Sequence, residues 1–252
     1  MDDITNNETG GSCAAQLHPD SPYGKIKVLF EDNHLLVVNK PAGLLSQSDQ
    51  TRDPDLQNIL KIHLKEKYQK PGNVFLALVQ RLDRGTGGVM VLAKTSKAAA
   101  RLSEQIRSHQ PQKHYLAVVC SAQVKQRELV HYLEKDRNRK KAMVSSQHEG
   151  KGQKSVLDLR PIQTVGNLTL ISVHLKTGRF HQIRAQLSAE GMPLHGDRKY
   201  GAPPSSSTNP ALFCRRISFR HPTRDDLLHF EAHPPSIQPW SRFNLSDLKQ
   251  SP

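Results

Sequence analysis

Gln80-Arg81-Leu82-Asp83-Arg84-Gly85-Thr86-Gly87-Gly88-Val89 sets one carboxylate between two arginines and follows it with flexible glycines. The apolar run Val74–Val79 before it suits a buried strand, and Val89–Leu92 after it suits a return partner. Asp83 therefore falls on a connection between strands. A second stretch about a hundred residues on, Leu175-Lys176-Thr177-Gly178-Arg179-Phe180-His181-Gln182-Ile183-Arg184, offers a further arginine on a predicted helix, and Lys113-His114-Tyr115 lies between the two. Acid, arginine and phenol make a candidate site.

Outward from that turn the chain is rich in strands. Lys25–Phe30 and Leu35–Val38 read as strands joined at Asp32-Asn33, and Leu56, Ile59, Leu60 and Leu64 recur at helical spacing after Asp53-Pro54. Ser96 stands where an N-cap belongs, ahead of a helix carrying Ala98, Leu102 and Ile106. Tyr115–Val119, Leu168–Leu175, Cys214–Phe219 and Leu228–Ala232 have strand composition; Phe180–Ala189 has helical spacing and stops at Gly191 before Pro193. Lys125–Lys154, with Asp136-Arg137-Asn138-Arg139-Lys140-Lys141 inside it, and the Pro/Ser-rich Ala202–Asn209 read as loops. Strands and helices do not alternate regularly, so the expectation is an α+β fold with a largely antiparallel mixed sheet and flanking helices.

The 252 residues suit one catalytic domain over 25–246, between a disordered tail at 1–24 and a short tail at 247–252. Lys plus Arg number 36 against 23 Asp plus Glu, a formal charge of +13, which favours a polyanionic partner, RNA or DNA. Cys13, Cys120 and Cys214 are odd in number, far apart and form no Cys-x-x-Cys pair, so neither a disulfide framework nor a zinc finger is suggested and a cytoplasmic setting fits. The polar start is no secretory signal, and no run of 18 apolar residues implies a membrane. Heptads are absent, so a monomer is expected.

Several chemistries fall away. Gly85-Thr86-Gly87-Gly88 lacks the Lys-Ser/Thr of a phosphate loop and the spacing of a dinucleotide loop, so no nucleotide cofactor is expected. His229, Glu231 and His233 share one face of a strand, but Phe230 and Ala232 would take the core side, which turns the trio to solvent rather than to a metal. No nucleophile elbow accompanies a Ser or Cys, and Cys120 reads as core packing. Singly, Asp83 would be a surface carboxylate paired with Arg81 or Arg84, Tyr115 a core aromatic, and Arg184 a solvent-facing helix residue opposite Phe180, Ile183 and Leu187.

Jointly, and in their wider contexts, the residues resemble the RluA family of RNA pseudouridine synthases from about Lys25 to His233. Four stretches carry the resemblance: Leu36-Val37-Val38-Asn39-Lys40-Pro41-Ala42-Gly43; Arg81-Leu82-Asp83-Arg84 with Thr86 and Gly88; Lys113-His114-Tyr115-Leu116-Ala117-Val118-Val119; and Thr177-Gly178-Arg179-Phe180-His181-Gln182-Ile183-Arg184, continuing to Pro193 and Gly196-Asp197-Arg198-Lys199-Tyr200-Gly201. The chain departs from the family pattern at Gln80, Gly85, Gly87, Phe180 and Gln186. The extra glycines enlarge the unbound ensemble of the turn and put its rigidity in question. The small amino-terminal RNA-binding domain of many relatives is expected to be missing.

The resemblance implies a sheet cleaved by a central basic cleft and cofactor-free isomerisation of specific uridines to pseudouridine in structured RNA, tRNA or rRNA. It makes Asp83 the group that attacks the anomeric carbon or removes a ribose proton, Arg184 the cation that keeps it ionised, and Tyr115 the ring beside the uracil and candidate base for the proton on C5. Tyr115 has an ordinary pKa near ~10 that its surroundings would have to lower or bypass. Ile183 is the opposite wall, and Arg81 fills the space vacated by a flipped nucleotide. Arg137, Arg139, Lys140, Lys141, Lys176, Arg179, Arg198 and Lys199 are candidate phosphate contacts. The alternative is an RNA-binding protein without turnover that acts as an RNA folding chaperone.

Overall fold

The computed structural model describes residues 26–145, 147 and 152–245; Cys13, Lys25 and the tails expected at 1–24 and 247–252 lie outside the described residues. The strands are β1 (Lys27–Glu31), β2 (Leu35–Lys40), β3 (Ala77–Leu78), β4 (Gly87–Ala93), β5 (Gln112–Val119), β6 (Arg127–Asp136), β7 (Lys141–Ser145), β8 (Gln153–Val165), β9 (Leu168–Leu175), β10 (Leu212–Arg220) and β11 (Leu227–Glu231). The helices are α1 (Leu56–Lys67), α2 (Ser96–Arg107) and α3 (Gln182–Ala189), with short 3-10 turns at Arg198–Tyr200 and Trp240–Arg242. All eleven strands form one sheet, ordered β1-β2-β4-β10-β5-β9-β8-β6-β7, with β3 on β4 and β11 on β10. Every pairing is antiparallel except β4 with β10, which is parallel at Gly87–Gly88.

That parallel contact is the seam of the molecule. β1, β2 and β4 lie on one side of β10, and β5, β9, β8, β6 and β7 on the other. Its closeness depends on Gly88, where φ is +118° and a Cβ would stand 2.2 Å from the Cys214 carbonyl oxygen.

Alternation along the strands sends side chains into two cores. Tyr115, Ala117 and Val119 face the core built with Leu56, Leu60 and Leu64 of α1 and Ile183 and Leu187 of α3. Leu116 and Val118 face the other, with Ala98 and Leu102 of α2, Trp240 and Phe243.

Several expectations need correction. The N-cap of α2 is Thr95, not Ser96: Thr95 is extended, at φ −135° and ψ 152°, and its side chain accepts from the Ala98 N–H, whereas Ser96 is already helical. The run Val74–Val79 pairs only at Ala77–Leu78, because the edge of β4 left free by β2 is shared by β3 at Leu92–Ala93 and by β10 at Gly87–Gly88. The predicted helix from Phe180 starts at Gln182, since His181 adopts a left-handed φ of 52°.

The largest miss is 125–154. Instead of a loop it holds β6, β7 and the start of β8, with Leu129, His131 and Leu133 buried at every second position and the more exposed Val130 and Tyr132 between them. Arg137–Lys140 form the tip of this hairpin, closed by the Asp136–Lys141 pair.

Candidate active site

The Asp83 turn is tied down on several sides. The Thr86 N–H donates to the Asp83 carbonyl at 3.0 Å and Gly43 N–H to the Arg84 carbonyl at 2.8 Å. The Ser46 hydroxyl donates to the Leu82 carbonyl at 2.7 Å. Arg84 bonds the Gly43 carbonyl and pairs with Asp53 at 2.7 Å, so it is not the partner of Asp83. Gly85 does not loosen the turn: a Cβ there would come within 2.7 Å of the Pro210 ring, and the absence of a side chain is what lets the turn seat.

Lys40, fully buried at the end of β2, donates to the carbonyls of Pro41 and Arg84. Burial pulls its pKa down to about 7, against the opposing pull of Asp83.

Arg184 reaches this turn from α3. It is 9% exposed, so the solvent-facing reading does not apply. Its Nε and Nη2 hold the two oxygens of Asp197 at 2.7 and 2.8 Å, and Nη1 donates to Asp83 Oδ2 at 3.1 Å. Its guanidinium also lies 5.0 Å over the Tyr200 ring. Burial would lower the Arg184 pKa, but the hydrogen bonds and charge of Asp197, followed by the charge of Asp83, outweigh it and raise the pKa above the ordinary value. Asp83 Oδ1 accepts no hydrogen bond from the described residues.

His181 Nε2 stands 3.6 Å from Asp83 Oδ2. Burial lowers its pKa to about 4, so at neutral pH the ring is uncharged and the contact is no ion pair. Its Nδ1 is 3.0 Å from the Tyr200 hydroxyl, which accepts from Ala142 N–H of the β6–β7 hairpin at 2.7 Å. The hairpin is thereby docked beside the acid.

A cleft of about 240 Å³ contains Asp83, Tyr115, Ile183 and Arg184 together, with Arg81 and Arg179 also on its wall. Tyr115 is 7% exposed, opposite Cys214 in the β5–β10 register. Burial, followed by the charge of Cys214, its hydrogen bond and Asp83, raises the phenol's pKa well above its usual value. The surroundings of Tyr115 do the opposite of lowering it.

The remaining predicted residues divide. Arg137, Arg139 and Lys140 are exposed at the hairpin tip, Lys141 lies 4.8 Å over the Tyr200 ring, and Arg198 and Lys199 are exposed on the neighbouring 3-10 turn. Lys176 differs from the expectation, because it is paired with Asp158 at 3.0 Å and also with Glu128, which leaves its charge countered. Gln186, a departure from the family pattern, is fully buried with its amide nitrogen 3.1 Å from His131 Nδ1, tying α3 to β6. Asp197, Lys40, His181 and Tyr200 were not singled out from sequence, although all four lie in stretches that carried the resemblance. His229, Glu231 and His233 face solvent, and no cluster of metal-ligating side chains occurs among the described residues. None of their helices is long and apolar enough to cross a membrane.

Comparison with known proteins identifies the family to which this α+β fold belongs. The profile described as RNA pseudouridylate synthase matches residues 34–189. The ribosomal large subunit pseudouridine synthase D of Zymomonas mobilis is 33% identical over 222 residues, which are 83% of this chain and 69% of that protein. The dual-specificity RNA pseudouridine synthase RluA of Pasteurella multocida is 29% identical over 86% of this chain and 95% of its own. Among solved structures, human RNA pseudouridylate synthase domain containing 4 superposes with a TM-score of 0.68 at 23% identity, over 82% of this chain and 88% of that one. The chain belongs to the RluA family of RNA pseudouridine synthases. It is an enzyme that isomerises uridine in RNA to pseudouridine.

Proposed function

We propose that residues 25–246 act as one catalytic domain that modifies specific uridines in structured tRNA or rRNA without a cofactor, with Asp83 as the reacting carboxylate. The observation that supports this most is the asymmetry of Asp83: Oδ2 is held by Arg184 at 3.1 Å while Oδ1 is unengaged and the side chain is 28% exposed in the cleft. A carboxylate poised in this way stays ionised yet keeps an oxygen for chemistry. It can attack the anomeric carbon or remove a ribose proton, and both routes release the uracil from the sugar. Tyr115 and Ile183 form the walls against which the ring turns. Tyr115 rests as the neutral phenol, so it can accept the proton from C5 only by passing on its own.

A stacked uridine hides its sugar, so the target is flipped out and Arg81 occupies the gap. Arg137, Arg139, Lys140, Lys141, Arg179, Arg198 and Lys199 contact phosphates and make the cleft basic. Lys176 contributes less, its charge being met by Glu128 and Asp158. The test is incubation with RNA from cells lacking the protein, followed by mapping of pseudouridine through carbodiimide-dependent primer stops. New stops with the parent chain and none with Asp83→Asn are expected; no stops with either would remove the reading. Neutralising Arg139, Lys140 and Lys141 together should weaken RNA binding and flatten its dependence on salt, by up to about 0.7 to 0.9 in the log–log slope per lost phosphate contact. An unchanged slope would make the tip a solvated charge run.

A further inference from the structure

We infer that Lys113 is a further catalytic residue, a cation that meets the negative charge the uracil acquires when it leaves the ribose. The inference rests on the proposed role of the Asp83 cleft and deepens it.

Lys113 precedes Tyr115 by two residues on β5, so the two side chains share a face of the strand, and both line the cleft that holds Asp83. Its neighbours on that wall include the apolar Val79, Ile106 and Leu175. Among the described residues it has no hydrogen bond and no ion pair.

Three of the nearby cations are otherwise employed, while Arg179, on the same wall, has a buried Nε with no hydrogen-bond partner among the described residues. Arg184 is committed to Asp197 and Asp83, Arg84 to Asp53 and the Gly43 carbonyl, and Lys40 to the carbonyls of Pro41 and Arg84. Arg81 is exposed. Burial lowers the Lys113 pKa from the ordinary lysine value, with the charge of Cys214 opposing it. A desolvated cation left without a counter-ion is a cost to folding that an arriving anion removes.

The reaction supplies that anion. The C1′–N1 bond breaks with its electron pair passing to the uracil, where it spreads over N1 and the two ring carbonyl oxygens. The carbon left behind is satisfied by a new bond to an Asp83 oxygen or by loss of the C2′ proton to Asp83. On either route the ring carries one negative charge, so the role of Lys113 does not depend on which one operates. Its ammonium donates a hydrogen bond to a ring carbonyl oxygen while the uracil turns. When C5 bonds to C1′, the Asp83–C1′ bond breaks and the carboxylate leaves, or on the other route C2′ regains its proton from Asp83. The ring loses its negative charge in that step, and the C5 proton then leaves while N1 gains one.

The experiment is single-turnover conversion of RNA from cells lacking the protein, at the uridine the parent chain modifies, with Lys113→Met and Lys113→Ala. Lys113→Met should slow the bound reaction on the order of 10²–10³-fold. Its RNA affinity should stay within about threefold and its melting temperature should be equal or higher, since a stranded cation has been replaced by an apolar side chain of similar length. Added ethylamine should accelerate Lys113→Ala in proportion to its concentration and leave the parent unchanged. A bound rate within about threefold of the parent overturns the inference. So does a loss that appears only as weaker RNA binding with a shallower salt slope, which would make Lys113 a phosphate contact. If Asp83→Asn abolishes product while Lys113→Met does not, only this inference fails; if the parent chain makes no pseudouridine, the underlying reading fails first.

Discussion

Two aspartates share one guanidinium, and they are held very differently. Asp197, 1% exposed, offers both oxygens to Arg184 at 2.7 and 2.8 Å, whereas Asp83, with a side chain 28% exposed, offers one at 3.1 Å. A two-toothed pair fixes orientation as well as charge, while a single contact leaves the second oxygen available. Asp197 aims the arginine and Asp83 is aimed at. The same residue type serves as an anchor in one loop and, on the function proposed above, as the reactant in the other, where one oxygen has no partner among the described residues.

Exchanging the two roles by substitution should separate activity from stability. The largest effect expected is on turnover in Asp83→Asn, a loss on the order of 10⁴-fold or more with a melting temperature close to the parent's. Primer-stop mapping and thermal unfolding check it; a large fall in stability would mean that Asp83 is a structural ion-pair partner after all.

Asp197→Asn should instead unfold more easily, by about 3–5 kcal/mol in urea titration, because it strips the buried guanidinium of its two-toothed counter-ion. Activity would fall with it. A stability change under 1 kcal/mol, roughly the value of an exposed pair, would erase the distinction drawn between the two acids.

Arg184→Lys keeps the charge and loses the fork. We expect a cost of roughly 2 kcal/mol in stability together with reduced turnover, since an ammonium cannot hold Asp197 with two parallel hydrogen bonds and still reach Asp83.

The last effect, seen only as a pH dependence, concerns Lys40, which feels Asp83. Its folded pKa of about 7 lies below the ordinary 10.5, so between those values the unfolded chain binds a proton that the folded chain has lost. Stability should therefore rise with pH across that window, and the penalty for the buried charge is fully present below it. Lys40→Met, compared with the parent at about pH 6 and about pH 9, should lack this rise. Equal slopes in the two proteins would show that the lysine stays charged throughout.

How far these features could be read from the letters depends on whether they are local. Asp83 on a connection, α1 with its Leu56, Leu60 and Leu64 stripe and the strand at Leu168–Leu175 follow from periodicity within a few residues. Arg184 became persuasive only beside Asp83 and Tyr115. Asp197 is written as Gly-Asp-Arg-Lys, which looks like an exposed charge run; only its meeting with α3 buries it. The pairing of Lys176 could not be read from sequence because Glu128 and Asp158 sit on β6 and β8, remote in sequence and adjacent in the sheet. The hairpin at 127–145 was hidden by the charges crowded at its tip, from Glu134 to Lys141, and the half-turn error at Phe180 by the left-handed His181, which no apolar pattern announces.

The place of β10 in the sheet sets an order of events. Asp83 belongs to the half built on β4 and Arg184 and Tyr115 to the half that begins with β5, and the strand that joins them, Leu212–Arg220, comes late in the chain. During synthesis the acid and its arginine are translated long before anything brings them together. In the sheet the two halves are hydrogen-bonded through β10, so the cleft is complete only when that strand has paired with both β4 and β5, a long-range step that local helices and hairpins cannot hasten. The nascent chain thus carries Asp83, Tyr115 and Arg184 before the strand that unites their two halves has been made.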